Sequence, residues 1–395
     1  MPSPALALFD ADNHYYEPRD AFTRHIEPRY RELAIRPEPG YGRRERLMVG
    51  ARPFTFLENL FFESTVKPGA LREMLRNLGS EAPSSADVRE QIQPEYVDRD
   101  ARLRVMDQQG LQSALLFPTL AVCVEHFMKG DVGQTFANVR AFNRWLDEDW
   151  GFDHEGRIYA VPLLSLLDLE LAVQELEWVM SRGARVIHLR PGPQGGRSPA
   201  DPCFDPFWAR VNEAKLAVAF HISESGYNEM MSVHWGEPDN PPSHRQSAFQ
   251  WTNFYGDRPI MDTFSALILH NLFGRFPNLR VLSVENGSLY VSYLLKVMDK
   301  MKGMGRNGPW PGGYVKGRPS EVFLQHVYVS PYHEEDLVAL TGLIGPERVL
   351  FGSDYPHAEG LAEPKSFAEG LEGLPEPAVH KIMSENMRRV IAGEF

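Results

Sequence analysis

The chain has 395 residues, 43% hydrophobic and 24% charged, a globular balance with ample material for a sizeable core. A formal net charge of -12 argues against the basic face that nucleic acid or an anionic membrane would need, so neither is expected as a partner. Only Cys123 and Cys203 occur, far apart, which argues against a disulfide framework or a thiolate zinc site and suits a reducing cytoplasm.

Taken in chain order, the first residues lack a positive segment and a long apolar run, and Asp10 and Asp12 interrupt the short run that is there. No signal peptide is read there. No run approaches the roughly 18 apolar residues of a membrane span. Short aliphatic and β-branched runs predict eight strands, at 6–12, 113–118, 158–164, 185–189, 216–222, 279–285, 327–330 and 349–354. Helical patterns lie between and after them, at 96–109, 136–150, 169–181, 206–214, 262–273, 289–301, 334–343, 364–370 and 378–391. The third is the clearest. Leu169, Ala172, Val173, Leu176, Val179 and Met180 line one face, Asp168 can cap its start, and Gly183 can end it.

Eight strand-then-helix units favour a parallel α/β arrangement, and eight is the number that closes a (β/α)8 TIM-like barrel. A doubly wound open sheet is the rival, but no Gly-rich turn follows Asp12. One domain over 1–395 is expected, with insertions at about 36–95, 223–260 and 302–320. The first carries Phe54 and Phe56, the second Trp235 and Trp251. Long loops of this kind serve as lids, binding walls or oligomer contacts, so a homo-oligomer and a lid both stay open.

Polar residues gather at the C-terminal ends of otherwise apolar strands. The first ends Asp10-Ala11-Asp12-Asn13-His14, the fourth carries His188 and then Arg190, and the fifth ends in His221. The sixth ends Val284-Glu285-Asn286, and the eighth runs Ser353-Asp354-Tyr355-Pro356-His357. In a barrel these ends share one face. Asp12 and His14, two apart on a strand, would point to the same side. With His221 and Asp354 they form a nitrogen and oxygen set suited to a divalent ion with open positions for water and substrate. Each alone reads as a capping or core residue; four on matching strand ends do not.

At these residues the sequence resembles the amidohydrolase-related family, in the branch that includes metal-dependent decarboxylases of aminocarboxymuconate semialdehyde and hydroxybenzoates. The resemblance runs from Leu8 to Ile391 outside the insertions. It rests on Asp10 to His14, on Phe276-Pro277-Asn278-Leu279, on Phe351-Gly352-Ser353-Asp354-Tyr355-Pro356-His357, and on Asn386-Met387-Arg388-Arg389. It implies that Asp12, His14, His221 and Asp354 hold the metal, with Asp354 also handling a proton. Members with two metals carry a modified lysine on the fourth strand. His188 stands in that strand here, which favours a single ion, zinc ahead of manganese or iron.

The family commonly ends its sixth strand with a histidine, and this chain has Glu285 instead. Glu285 is read as a catalytic replacement, an extra ligand or a salt-bridged support, and the three stay open. His188, Arg190 and His357 are candidates for substrate contact, although His188 can equally orient a ligand and His357 can support Asp354. Glu17 is a support for a ligand or a surface charge, and His270 a packed helix residue. The first functional expectation is a hydrolase that activates water on a small cyclic or aromatic substrate, with Asp354 and Glu285 sharing the proton work. Non-oxidative decarboxylation on the same scaffold is the second, and a ligand-binding barrel without catalysis the third.

Overall fold

The apolar runs pair side by side as parallel strands, so the residues at the end of each run collect at one end of the sheets. The computed structural model describes residues 7–40, 45–57, 62–78, 88–239, 241–254 and 257–394. Its strands are β1 (Leu8–Tyr15), β2 (Ile35–Pro39), β3 (Glu45–Val49), β4 (Arg52–Pro53), β5 (Ser64–Val66), β6 (Arg89–Gln91), β7 (Leu111–Pro118), β8 (Ile158–Ala160), β9 (Val186–His188), β10 (Ala217–His221), β11 (Arg280–Val284) and β12 (Val327–Ser330). β1, β7 and β8 form one parallel sheet, and β12, β11, β10 and β9 form another. Single parallel bridges connect these sheets on both sides: Leu163 with His188, and Val329 with Val349 followed by Asn13 with Tyr355.

Two expected strands depart most from their apolar runs. The ladder at 158–164 stops at Ala160 because Pro162 has no N–H to donate; its carbonyl still accepts from His188 N at 2.9 Å. Residues 349–354 form no ladder: Val349 makes a single bridge, and the next belongs to Tyr355, just past the expected end. Asp354 there takes a φ of 55°, which no strand residue adopts. Leu6, at the start of the first expected strand, lies outside the described residues, as do Leu60, Phe61 and Tyr255 of the insertions.

The helices follow their local signals. Leu169–Ser181 forms with Asp168 accepting from Leu171 N at 2.9 Å, and Gly183 leaves it with a φ of 93°. The pattern at 334–343 begins only at Leu337, since Asp336 accepts from Ala339 N and so sets the start. The pattern at 262–273 divides into Arg258–Leu269 and Leu272–Arg275, with Asn271 at a φ of 54° between them. His270 ends the first of these, its Nδ1 2.8 Å from Ser198 Oγ. No helix among the described residues is long and apolar enough to cross a membrane.

Side-chain alternation divides the core into two layers. Phe9 and Ala11 of β1, Ala217 and Ala219 of β10, and Leu282 and Val284 of β11 pack together on one face of the sheets, with Met387 and Val390 of the helix Asn386–Ala392. The opposite faces pack against the helices through residues such as Phe142, Leu176, Phe207 and Phe264. Residues 36–95 contribute the antiparallel β2–β3–β4 and β5–β6 rather than further parallel strands. Ser243 N donates to Phe56 O at 2.8 Å, so the first and second insertions touch.

Candidate metal centre

The centre begins with a register shift in β1. Asp10 pairs with Ala114 but Asn13 pairs with Leu116, so one extra residue is accommodated between them. Asp10 holds this irregular stretch together. It accepts from Asp12 N at 3.1 Å, Asn13 Nδ2 at 3.0 Å, Ser353 N at 3.0 Å and Ser353 Oγ at 2.5 Å. Burial pushes its carboxyl up to about 7 against those donors. Arg102, fully buried, donates to Asn13 Oδ1, to His14 O at 2.7 Å and to Glu95 O at 2.8 Å. The eighth segment is tied on by Asp354 N to Asp12 O at 2.8 Å and His14 N to Tyr355 O at 2.7 Å.

Around this frame Asp12, His14, His221 and Glu285 each bring one nitrogen or oxygen to within 4.8 Å of the others, and all four are buried. His14 Nε2 lies 3.3 Å from Asp12 Oδ1, 3.4 Å from Asp354 Oδ1 and 3.9 Å from Glu285 Oε2. His221 Nε2 lies 3.1 Å from Glu285 Oε2, 3.5 Å from Asp12 Oδ1 and 3.1 Å from His14 Nε2. His221 Nδ1 sits 2.8 Å from the Ile222 carbonyl, which can only accept, so Nδ1 carries a proton and Nε2 is the atom turned inward. A second group of His14, Glu285, Asp354 and His357 overlaps the first through His14 and Glu285. The four-residue set therefore includes Glu285 where the sequence pattern pointed to Asp354, and Asp354 stands immediately beside it.

The electrostatics fit a cation. Asp12, Glu285 and Asp354 place three carboxylates in one buried space. Burial raises Glu285, opposed by its contact with His221. Burial and the charges of Glu285, Glu359 and Asp12 raise Asp354 well above the usual carboxylate range. Burial and repulsion from His357 hold His14 well below the usual imidazole range, whereas Asp12 and Glu285 overcome burial to raise His221. Burial opposes the ionised form of Asp12, yet His14 and His221 hold that carboxyl below the usual range. Asp12 Oδ1, His14 Nδ1 and Asp354 Oδ1 are buried without an aligned hydrogen bond. Such orphaned atoms are costly in a protein interior, and a divalent ion would satisfy the oxygens.

The remaining candidates divide. His357 Nδ1 lies 2.7 Å from Asp354 Oδ1, and its ring centroid lies 4.0 Å from that of His14. Thr119 Oγ1 donates to Tyr15 O at 2.8 Å, so it accepts from His357 Nε2 at 2.9 Å and fixes the proton on that nitrogen. His188 is buried with Nε2 lacking a hydrogen bond, and burial together with the charge of His221 pushes it down to about 3. Arg190 is turned elsewhere: Nη1 donates to Pro191 O at 3.2 Å and Ser225 O at 3.0 Å, and Nη2 to Pro193 O at 2.9 Å. Glu17 is buried, accepts from Leu120 N and Ala121 N, and is pushed up to about 7 by burial. Thr119, Arg102 and Tyr332, whose phenol donates to Glu285 O at 3.0 Å, were not singled out by the sequence pattern. Only Thr119, directly after β7, occupies a strand end that the pattern could have flagged.

Comparison with known proteins adds to this geometry. A family model described as amidohydrolase matches residues 86–392. Among solved structures, an amidohydrolase from Mycobacterium avium subsp. paratuberculosis K-10 is 37% identical over 98% of this chain and 100% of its own, with a TM-score of 0.88. 5-Carboxyvanillate decarboxylase from Sphingomonas paucimobilis is 17% identical over 98% of this chain and 99% of its own, with a TM-score of 0.62. Dihydroxybenzoic acid decarboxylase from Polaromonas sp. JS666, solved with manganese and the inhibitor 2-nitroresorcinol, is 17% identical over 98% of this chain and 97% of its own, with a TM-score of 0.61. At that identity the two decarboxylases share the fold with this chain.

Proposed function

The chain belongs to the amidohydrolase family, and from that footing we propose that it is a metal-dependent carboxy-lyase acting on a small aromatic or muconate-type acid. The observation that carries this reading is the Asp354–His357 pair, 2.7 Å apart beside the candidate ligands, with burial and neighbouring carboxylates raising Asp354 toward holding a proton. Decarboxylation needs such an acid. The proton passes from Asp354 to the ring carbon that bears the carboxylate. Carbon dioxide then leaves, its bonding pair stays on that carbon, and the aromatic ring is restored. With its Nε2 proton fixed by Thr119, His357 faces Asp354 through an unprotonated Nδ1 that orients the acid, and the Asp354 carboxylate regains its proton from solvent once the product has left.

Asp12, His14, His221 and Glu285 would hold the ion. When bound it supplies a positive charge for substrate oxygens and neutralises the surrounding carboxylates. The donor set suits zinc, manganese or iron, and the manganese in the Polaromonas enzyme supports testing that ion alongside zinc. The bridges that join the two parallel sheets on both sides support a closed (β/α)8 barrel built as one domain over 1–395, with its centre at the C-terminal face. A small molecule is the proposed partner and the cytoplasm the proposed compartment.

One observation favours hydrolysis of a neutral substrate as the second reading. Arg190, the arginine expected to meet a substrate carboxylate, spends three hydrogen bonds on backbone carbonyls. The two readings separate in one experiment, in which metal-loaded protein is offered hydroxybenzoate-type acids and, in parallel, aryl esters and amides. Carbon dioxide release supports the carboxy-lyase; ester or amide cleavage without carbon dioxide replaces it with the hydrolase. In either reaction Asp354→Asn should lower turnover at least a hundredfold while the metal stays bound. Wild-type turnover in that variant would remove Asp354 from the chemistry.

A further inference from the structure

We propose that Tyr332 is a positioning residue that aims Glu285 into the metal centre and so sets the affinity for the ion; this rests on the metal reading of the same site. Side chains alternate along β11. Leu282 and Val284 pack on the inner face, while Ser283 faces outward and bonds Tyr290 through its hydroxyl. An extended residue 285 would continue outward with Ser283. Glu285 instead adopts a φ of 54°, and its carboxylate comes to 3.1 Å from His221 Nε2. The reach of this ligand is created by a left-handed turn that a glutamate does not favour.

The turn is fixed by residues from the loop after β12. Tyr332 donates its phenolic proton to Glu285 O at 3.0 Å, the one hydrogen bond found for that carbonyl among the described residues. Glu335 clamps the same two loops, accepting from Ser288 N at 3.0 Å through Oε1 and from Tyr332 N at 3.2 Å through Oε2. Asn286 Nδ2 anchors the turn to β10 by donating to Phe220 O at 2.7 Å. Gly287 comes next with a φ of 66°, and a Cβ there would stand 2.9 Å from the Tyr332 ring. The phenol therefore packs onto the turn as well as bonding it. Loss of the hydroxyl frees the Glu285 carbonyl, and the carboxylate loses its fixed direction toward the ion.

The test is a double-mutant cycle read by calorimetric titration of manganese and zinc into chelator-stripped protein. Tyr332→Phe should weaken metal binding about five- to tenfold, the equivalent of one neutral hydrogen bond. Glu285→Gln should weaken it further, and Tyr332→Phe should then add nothing. Gly287→Ala, which presses on the same ring, should weaken binding in the same direction. Wild-type affinity in Tyr332→Phe overturns the proposal. So does an equal penalty in the Glu285→Gln background, which would show that Tyr332 acts elsewhere. A wild-type chain that takes up neither ion overturns the metal reading itself, and the proposal with it.

Discussion

Adding a divalent metal to chelator-stripped protein should raise its melting temperature by an amount the structure allows one to estimate. The folded chain gathers Asp12, His14, His221 and Glu285 within 4.8 Å, and the unfolded chain has no such site. An ion that binds only the folded form stabilises it by about 2.7 kcal/mol at a hundredfold excess over Kd. For 395 residues the unfolding entropy amounts to roughly 0.8 kcal/mol per degree. The expected rise is therefore about 3 °C, and each further tenfold in free metal should add roughly 2 °C. Scanning fluorimetry across a series of manganese and zinc concentrations reads this slope directly. His221→Ala should flatten it, since that substitution removes the ligand whose Nε2 lies 3.1 Å from Glu285. No shift with any of zinc, manganese or iron, or the same slope in His221→Ala, would mean that these four side chains do not hold the ion.

Other expectations rest on single contacts. Thr119→Val removes the acceptor that fixes the His357 Nε2 proton, so turnover should fall about tenfold with the metal content unchanged, as read by steady-state rates and elemental analysis. Arg102→Met leaves Glu95 O, His14 O and Asn13 Oδ1 without their donor in the interior, and chemical denaturation should show a loss of about 3 to 5 kcal/mol. His326 is stacked on Phe273 at 4.4 Å, and burial, helped by Arg280 and Arg348, pushes it down to about 4. A histidine lowered in the folded state contributes stability above its ordinary value, and this is lost as pH falls from about 6.5 toward 4. With allowance for partial exposure the full effect is about 2 to 3 kcal/mol. The fall in melting temperature over that window should be about 3 °C smaller in His326→Phe, and an unchanged slope would exclude His326 as its source.

Much of this arrangement was legible in the sequence because short aliphatic and β-branched runs name both the strands and the polar residues that end them. Asp12, His14 and His221 could be placed this way, and the helix Leu169–Ser181 formed where its 3.6-residue pattern lay. Glu285 could be noticed but not assigned, since its direction depends on a φ of 54° that no local pattern announces. In plain alternation it belongs on the outer face. Arg102 and Tyr332 were hidden for another reason: each acts on a backbone carbonyl far away in sequence, His14 O and Glu285 O. Arg190 shows the converse difficulty. A cation after a strand can be noticed in the sequence, but not that its Nη1 and Nη2 donors reach Pro191, Pro193 and Ser225.

The centre also shows where the fold concentrates strain. Among the described residues other than glycine, five take a left-handed φ, and two of them are Glu285 and Asp354. Each costs about 1 to 2 kcal/mol relative to an ordinary backbone, and nothing in a simple strand requires it. The same two residues bring carboxylates toward a space that already holds Asp12, against mutual repulsion. Such a conformation persists only when neighbours over-determine it, and they do. Asp354 N is held by Asp12 O, and Glu285 O by Tyr332. Backbone strain, like-charge repulsion and orphaned buried atoms all occur at this one point, while β10 and β11 beneath it pair in unbroken register. A ligand that only filled space would relieve none of the three. A divalent cation relieves the repulsion and coordinates the orphaned oxygens, and the surrounding contacts keep the strained turns aimed at it.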